Sequence, residues 1–268
     1  SAYVMFNRRC LKVEIRLFKI VEDVMQRNVQ CINPTEKLKV AATILGEKHI
    51  GSLVVIGSVG PIGLLTETDI IWKVIALKRD LSTTLVLEVM SIAYGRIASD
   101  ASLKDAAKLM LEKKKRLLVF EGDKVAGIVT ASDLVKGISE LNLSVGVDGV
   151  MSKKVYCLDE NATALDAAQM MASKRIGSVI VTKDDEPYGI FAERDLMTKV
   201  AAQNIPFTTE LKFLLSTPLI TASVNVSVSE AAKIMVEKRI KRLPLVQGED
   251  LVGIVTARDL VEAYARSL

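Results

Sequence analysis

Four short stretches hold the residue types in this chain best placed to do chemistry. GLLTETD (63–69), GIVTASD (127–133), GIFAERD (189–195) and GIVTARD (253–259) each set an acid three residues after a threonine, or after an alanine in the third. A hydroxyl and a carboxylate at that spacing, directly after an apolar run, have two uses. One is a capping box, in which the threonine oxygen and the acid satisfy unpaired N–H groups at a helix start. The other is ligand binding at the same place, because free N–H groups and a positive dipole end attract phosphate. A carboxylate aimed at phosphate would repel it, so phosphate would fall to the threonine hydroxyl, the backbone and nearby Arg or Lys. The motif alone leaves both readings open.

Catalytic constellations are not visible. The chain has one histidine, His49, no Ser/His/Asp or Cys/His set at usable spacing, no phosphate loop of the GxxxxGKS type and no cluster of metal ligands. Its acids mostly recur in register, as a binding scaffold would repeat them. We therefore expect a protein that is not an enzyme and needs no cofactor or metal. Cys10, Cys31 and Cys157 are an odd number without metal-ligand spacing, which fits reduced, mostly buried thiols better than a disulfide framework.

The elements that must position the motifs are also repeated. The motif glycines stand at 63, 127, 189 and 253, a spacing of 64, 62 and 64 residues. An Ala-Ala pair recurs at 41–42, 106–107, 167–168 and 231–232, and sixteen residues before each first alanine stand Met25, Met90, Met151 and Leu215. One unit of about sixty residues was multiplied. In the second copy Leu103, Ala106, Ala107, Met110 and Leu111 recur at helical spacing and end in basic residues. Leu117 to Phe120 and Val125 to Val129 are short apolar runs around a Gly122-Asp123 turn, which reads as a hairpin. After Thr130 a helix begins, with Leu134, Val135 and Ile138 inward. The fold class is α/β, in units of order strand-helix-strand-strand-helix.

This unit, with its early Met, its Ala-Ala helix, its hairpin and its G-h-h-T-x-x-D ending, resembles the cystathionine-beta-synthase (CBS) domain, over residues 21 to about 265. The resemblance implies that two units pair through their strands into a module, and that the cleft between them binds an adenosine-containing ligand. Four units on one chain look like the layout of the gamma subunit of AMP-activated protein kinase. The ligands so implied are AMP, ADP or ATP, with S-adenosylmethionine or NADPH as alternatives. By resemblance the ribose-binding pairs are Thr66 with Asp69, Thr130 with Asp133 and Thr256 with Asp259, each Asp accepting from two ribose hydroxyls. In the third copy Ala192 removes the hydroxyl and Asp195 remains. Gly51 and Ser52, matched by Gly177 and Ser178, are small where the family lets backbone approach the nucleobase. Arg194 and Arg258, just before their acids, could meet phosphate or pair with surface acids, and Arg116 and Arg242, opening the second strand, are further cleft candidates.

Kinship between copies suggests the pairing. Ile50-Gly51-Ser52 matches Ile176-Gly177-Ser178, and Cys31 matches Cys157, whereas Lys115-Arg116-Leu117 matches Lys241-Arg242-Leu243. A duplicated pair gives modules 1+2 and 3+4, over residues 21–140 (repeats 21–80 and 86–140) and 146–268 (repeats 146–202 and 210–268). The modules are expected to form a flat, two-fold disc, within one chain or in a homodimer. Pro244, inside a hairpin strand of the fourth copy, argues an edge position there.

Residues 1–20 precede the repeats. Leu11, Val13, Ile15 and Leu17 alternate with polar residues, as in a half-buried strand, and a helix stays open. Arg8, Arg9, Lys12, Arg16 and Lys19 against Glu14 make this arm basic, for a partner or nucleic acid or as a solvated strand edge. His49 ends the first helix, where Lys114, Arg175 and Arg239 match it, and suits a helix C-terminus better than a phosphate contact. Trp72 reads as a packing residue. A net charge of +4 on 268 residues is too mild to imply nucleic acid, and no apolar stretch of eighteen residues suggests a membrane span. We expect a cytoplasmic regulator that acts on an unidentified protein target in trans. The alternative is a ligand-independent scaffold or nucleic-acid-binding module using the basic arm and residues 113–116.

Overall fold

A computed structural model describes residues 20–113 and 116–267. The alternation over 11–17, Cys10, Lys114 and Lys115 fall outside the described residues. Four times the chain runs through an entry strand, a helix bearing the Ala-Ala pair, a hairpin and a motif helix. The entry strands are Cys31–Ile32, Gly95–Ala98, Cys157–Asp159 and Ala222–Ser223. Each lies parallel to the first hairpin strand of its own repeat, so every sheet has three strands and a helical crossover. A short helical turn precedes each entry strand, at Val21–Val24, Val86–Val89, Val147–Gly149 and Leu211–Phe213. The periodicity of the sequence had not separated these turns.

The Ala pairs explain how the repeats meet. Helices Leu38–Glu47 and Ala164–Lys174 share one core with the motif helices of repeats 1 and 3. Helices Leu103–Lys113 and Val228–Lys238 share a second core with those of repeats 2 and 4. All eight alanines are fully buried. A small side chain at two adjacent positions lets helix backbones approach, and larger residues there would overpack both cores. A third cluster of Val54, Leu64, Leu118, Phe120 and Ile128 joins the sheets of repeats 1 and 2. Repeats 3 and 4 are joined by bridges from Ser152 to Ile254 and from Ile190 to Ser216. The four units thus close into a ring of contacts in the order 1, 2, 4, 3.

Three expectations are corrected here. Cys31 and Cys157 are exposed, because each sits on an outward position of a short entry strand, with Ile32 taking the inward one. Pro244 lies on the central strand of its sheet, Arg242–Gln247. It is tolerated because the entry strand of repeat 4 reaches only Leu245 and Val246, so its missing N–H faces no parallel neighbour. His49, Arg175 and Arg239 share a left-handed backbone, at φ of 51°, 54° and 55°. Their common feature is a helix-ending turn, and their side-chain charge is secondary to it. Trp72 packs against the core of repeats 1 and 3, its Nε1 buried without a partner among the described residues. Among those residues no helix is long and apolar enough to cross a membrane.

Candidate functional site

Each motif forms a cap. The backbone N–H groups of Thr66, Thr130, Ala192 and Thr256 donate to the acid three residues on, at 3.0, 2.9, 2.9 and 2.7 Å. The three threonine hydroxyls donate to the same carboxylate oxygen at 2.6, 2.7 and 2.7 Å. In repeats 1 and 4 the hydroxyl also accepts from the N–H of Asp69 (3.1 Å) or Asp259 (3.4 Å). The capping geometry leaves the second oxygen of each acid for other partners.

The motif glycine and the methionine landmark, about forty residues apart within a repeat, meet across repeats. The residue after each landmark exchanges two backbone hydrogen bonds with the strand that leads into the partner repeat's motif. Gln26 pairs with Ile128, Ser91 with Leu64, Ser152 with Ile254 and Ser216 with Ile190, all at 2.8 to 3.0 Å. A Cβ on Gly63 would lie 2.6 Å from the Ser91 carbonyl oxygen. One on Gly127 would lie 2.9 Å from the Gln26 oxygen and the Met25 sulfur, and one on Gly253 3.0 Å from the Ser152 oxygen. Glycine is required there by backbone approach. Four clefts result, each with the acid of one repeat facing a segment of the other.

The acids differ in what occupies their free oxygen. Lys73 holds Asp69 at 2.6 Å and is itself anchored on the Val89 carbonyl, with Ser91 Oγ 3.4 Å from the same acid. Lys199 holds Asp195 at 2.7 Å and binds the Leu214 carbonyl, with Ser216 Oγ donating to Asp195 at 2.8 Å. Both lysines stand four residues after the acid, where the helix relaxes into a π turn over Ile71–Ile75 and Leu196–Ala201. Asp133 receives Gln26 Nε2 at 3.0 Å and Lys136 at 3.2 Å. Asp259 has no side-chain partner but Thr256 among the described residues. Ser152, its counterpart to Gln26 and Ser91, turns to the Lys154 carbonyl, and Glu262 stands where repeat 2 has Lys136. Burial raises the pKa of Asp259, outweighing the hydrogen bonds from Thr256.

At the inner ends of the clefts the repeats share a charged cluster. Glu67, almost fully buried, pairs with Arg194 at 2.6 Å, and Glu193 pairs with Arg242 at 2.9 Å and accepts from Thr68 Oγ1 at 2.7 Å. A Cβ on Gly51 would touch an Arg116 nitrogen at 3.0 Å, and one on Gly177 would overlap Arg242 at 1.7 Å. The Gly-Ser of one repeat therefore leaves room for the Arg of its partner. The Lys241 side chain makes no hydrogen bond or ion pair among the described residues. Burial lowers its pKa to about 8, with Glu67 opposing and Arg194, Arg116 and Arg242 adding to the fall.

The sequence-derived candidates divide accordingly. Thr66, Asp69, Thr130, Asp133, Asp195, Thr256 and Asp259 line the clefts. Gly51, Gly177, Arg116, Arg194 and Arg242 meet at the centre. Ser52 and Ser178 sit on the strands beside them, opposite Thr66 and Ala192. Gly51 and Gly177 face arginines, a different use of small residues from the nucleobase approach expected of them. Arg258 is exposed and stays out of the central ion pairs. Sequence reasoning missed Glu67, Glu193 and Lys241 at the centre and Lys73 and Lys199 in the clefts. The signals were D-x-x-x-K in repeats 1 and 3 only, and Glu after the Thr or Ala of the same two motifs, against Ala131 and Ala257.

A family model described as CBS domain matches residues 21–76, 86–140, 147–202 and 211–266, so the chain belongs to the CBS-domain family. Protein MJ1404 of Methanocaldococcus jannaschii is 25% identical over 276 residues, covering 94% of this chain. The chain spans 63% of the length of that relative. CBS domain-containing protein YhcV of Bacillus subtilis is 31% identical over 114 residues, 42% of this chain and 81% of YhcV. The crystal structure of protein MJ1225 from Methanocaldococcus jannaschii, described as a candidate archaeal homolog of g-AMPK, superposes with a TM-score of 0.75 at 18% identity. It covers 92% of this chain and 100% of that one. At that identity the likeness speaks for the four-repeat fold.

Proposed function

We propose that this chain is a non-catalytic regulatory protein that binds adenosine phosphates in the clefts between paired repeats and passes the bound state to a protein partner. The observation that carries this is the convergence of Arg116, Arg194, Lys241 and Arg242 at the inner ends of clefts whose outer parts hold the motif acids. A ribose diol donates to a carboxylate, and a phosphate needs cations a few ångströms further in. A nucleoside phosphate satisfies both, whereas S-adenosylmethionine brings a positive sulfonium to a positive centre.

Regulation needs two states that the ligand distinguishes. Without ligand, Arg194 is tied to Glu67 of repeat 1 and Arg242 to Glu193 of repeat 3. A phosphate competes for the same guanidinium groups and so weakens contacts that link repeats 1, 3 and 4. The affinity of a partner that touches two of those repeats then depends on the ligand.

A thermal-shift series with AMP, ADP, ATP, NADPH and S-adenosylmethionine tests this reading. A ligand at a hundred times its dissociation constant adds about 2.7 kcal/mol at one site. The phosphate-bearing compounds should raise the melting temperature. No shift with any of them at millimolar concentration would end the proposal.

A further inference from the structure

The four clefts share a backbone plan, and their acids are in different states. In three of them the protein supplies its own donors to the free carboxylate oxygen. Ser91 and Lys73 do so at Asp69, Ser216 and Lys199 at Asp195, and Gln26 and Lys136 at Asp133. In the fourth both donors are lost together, since Ser152 turns to Lys154 and Glu262 replaces the lysine. The same repeat holds Lys241, whose side chain is in no ion pair among the described residues, although Glu67 is near enough to favour its charged form. The Lys241 carbonyl accepts from the N–H of Ala257 at 2.9 Å, in the first turn of the helix that carries Asp259. The Lys241 backbone is therefore fixed beside the start of the helix that carries Asp259, while its amine lies near Glu67, Arg194, Arg116 and Arg242 of the central cluster, and neither charge has a partner of opposite sign in hydrogen-bonding contact among the described residues.

We infer that the repeat-4 cleft, built from Asp259, Lys241 and residues 152–154 of repeat 3, is the primary nucleotide site, and that Lys73 and Lys199 are specificity-determining residues that withhold the repeat-1 and repeat-3 acids from ligand. This rests on the nucleotide reading above and adds which cleft is used and why. A ligand entering at Asp69 or Asp195 must displace an ion pair and a serine hydroxyl. At Asp259 it displaces nothing from the protein, and its hydroxyls satisfy a half-buried carboxylate that has no ion pair among the described residues. One missing or competing charged hydrogen bond corresponds to roughly a tenfold to hundredfold change in affinity.

Calorimetric titration of the full chain with AMP decides it. Asp259→Ala should weaken the tightest binding at least about tenfold, whereas Asp69→Ala and Asp195→Ala should leave it within about threefold. Glu262→Lys copies the arrangement of repeat 2 and guards against a mere folding defect. It should raise the ligand-free melting temperature and lower AMP affinity, while a purely structural Asp259 would give the first effect without the second. If the wild type binds AMP and Asp69→Ala or Asp195→Ala costs as much as Asp259→Ala, the assignment of the cleft is wrong and the nucleotide reading stands. If the wild type binds neither AMP nor ATP, both fall together.

Discussion

Repeats 1 and 3 differ from repeats 2 and 4 in kind, although all four share one fold. The odd repeats open the hairpin with Gly-Ser, begin the motif helix with Glu67 or Glu193, and loosen it into a π turn that returns a lysine to the acid. In repeat 4, and in the Arg116 and Ala131 of repeat 2, the pattern is reversed, with a cation opening the strand, alanine beginning the helix and no π turn. Each kind supplies what the other lacks. The odd repeats give space and counter-acid, the even ones give the cations that fill that space, and a pair of either kind alone would have an unfilled or an overcharged centre. Duplication of an unlike pair therefore yields a ring with alternating parts, whose helical cores join like to like and whose clefts join unlike to unlike.

The sharpest way to break this contrast is to make an odd repeat resemble an even one. Glu67→Ala installs the residue found at 131 and 257, and leaves Arg194 beside Arg116, Lys241 and Arg242 with one carboxylate fewer. Removing one member of a buried pair costs about 3–5 kcal/mol, and the partly exposed Arg194 puts this one at about 3 kcal/mol. Urea melts would show it, with part of the loss recovered by inorganic phosphate. A change under about 0.5 kcal/mol would mean that the acid does not balance the centre.

The glycines should erase the contrast, since all four meet a partner segment. Gly63→Ala and Gly127→Ala should each cost about 1–3 kcal/mol, with Gly149→Ala, whose Cβ meets nothing within 4 Å, near zero as control. A marked loss in only one of the pair would show that the odd and even clefts are built differently.

Lys241 gives repeat 4 a pH signature. Its pKa falls to about 8 in the folded protein and lies near the ordinary 10.4 in the unfolded chain. Between those values the unfolded state holds the extra proton, so stability rises with pH. From pH 7 to 9 the gain should be about 1 kcal/mol, and it should vanish in Lys241→Met. Anion binding should weaken over the same range as the amine loses its charge. A flat stability profile in the wild type would contradict an uncompensated Lys241.

The smallest effect concerns the one odd motif without a hydroxyl. Ala192→Thr should restore the cap and add about 0.5–1 kcal/mol, read in the same melts, with AMP affinity unchanged because Lys199 still holds Asp195. A gain in affinity together with stability would show that the repeat-3 cleft is open to ligand.

The sequence by itself determined the unit, its element order, the caps and the kinship of odd with odd and even with even. Those features are local. A helix repeats every 3.6 residues and a cap joins residues three apart, so each is written within one turn of chain. The tertiary structure alone decided that the motif glycine answers a methionine landmark of another repeat, that Gly51 and Gly177 make room for arginines, and that Cys31 and Cys157 face outward. It also decided the state of the four acids. Whether a carboxylate is free or held depends on Gln26, Ser91 and Ser216, which reach it from another repeat, on Ser152, which turns away, and on a π turn that brings a lysine back to the acid. Contacts between residues more than a hundred positions apart, as between Glu67 and Arg194 or Gln26 and Asp133, leave no periodic trace in the chain. Only the packing of the Ala-Ala helices and the closing of the ring bring them within hydrogen-bonding distance.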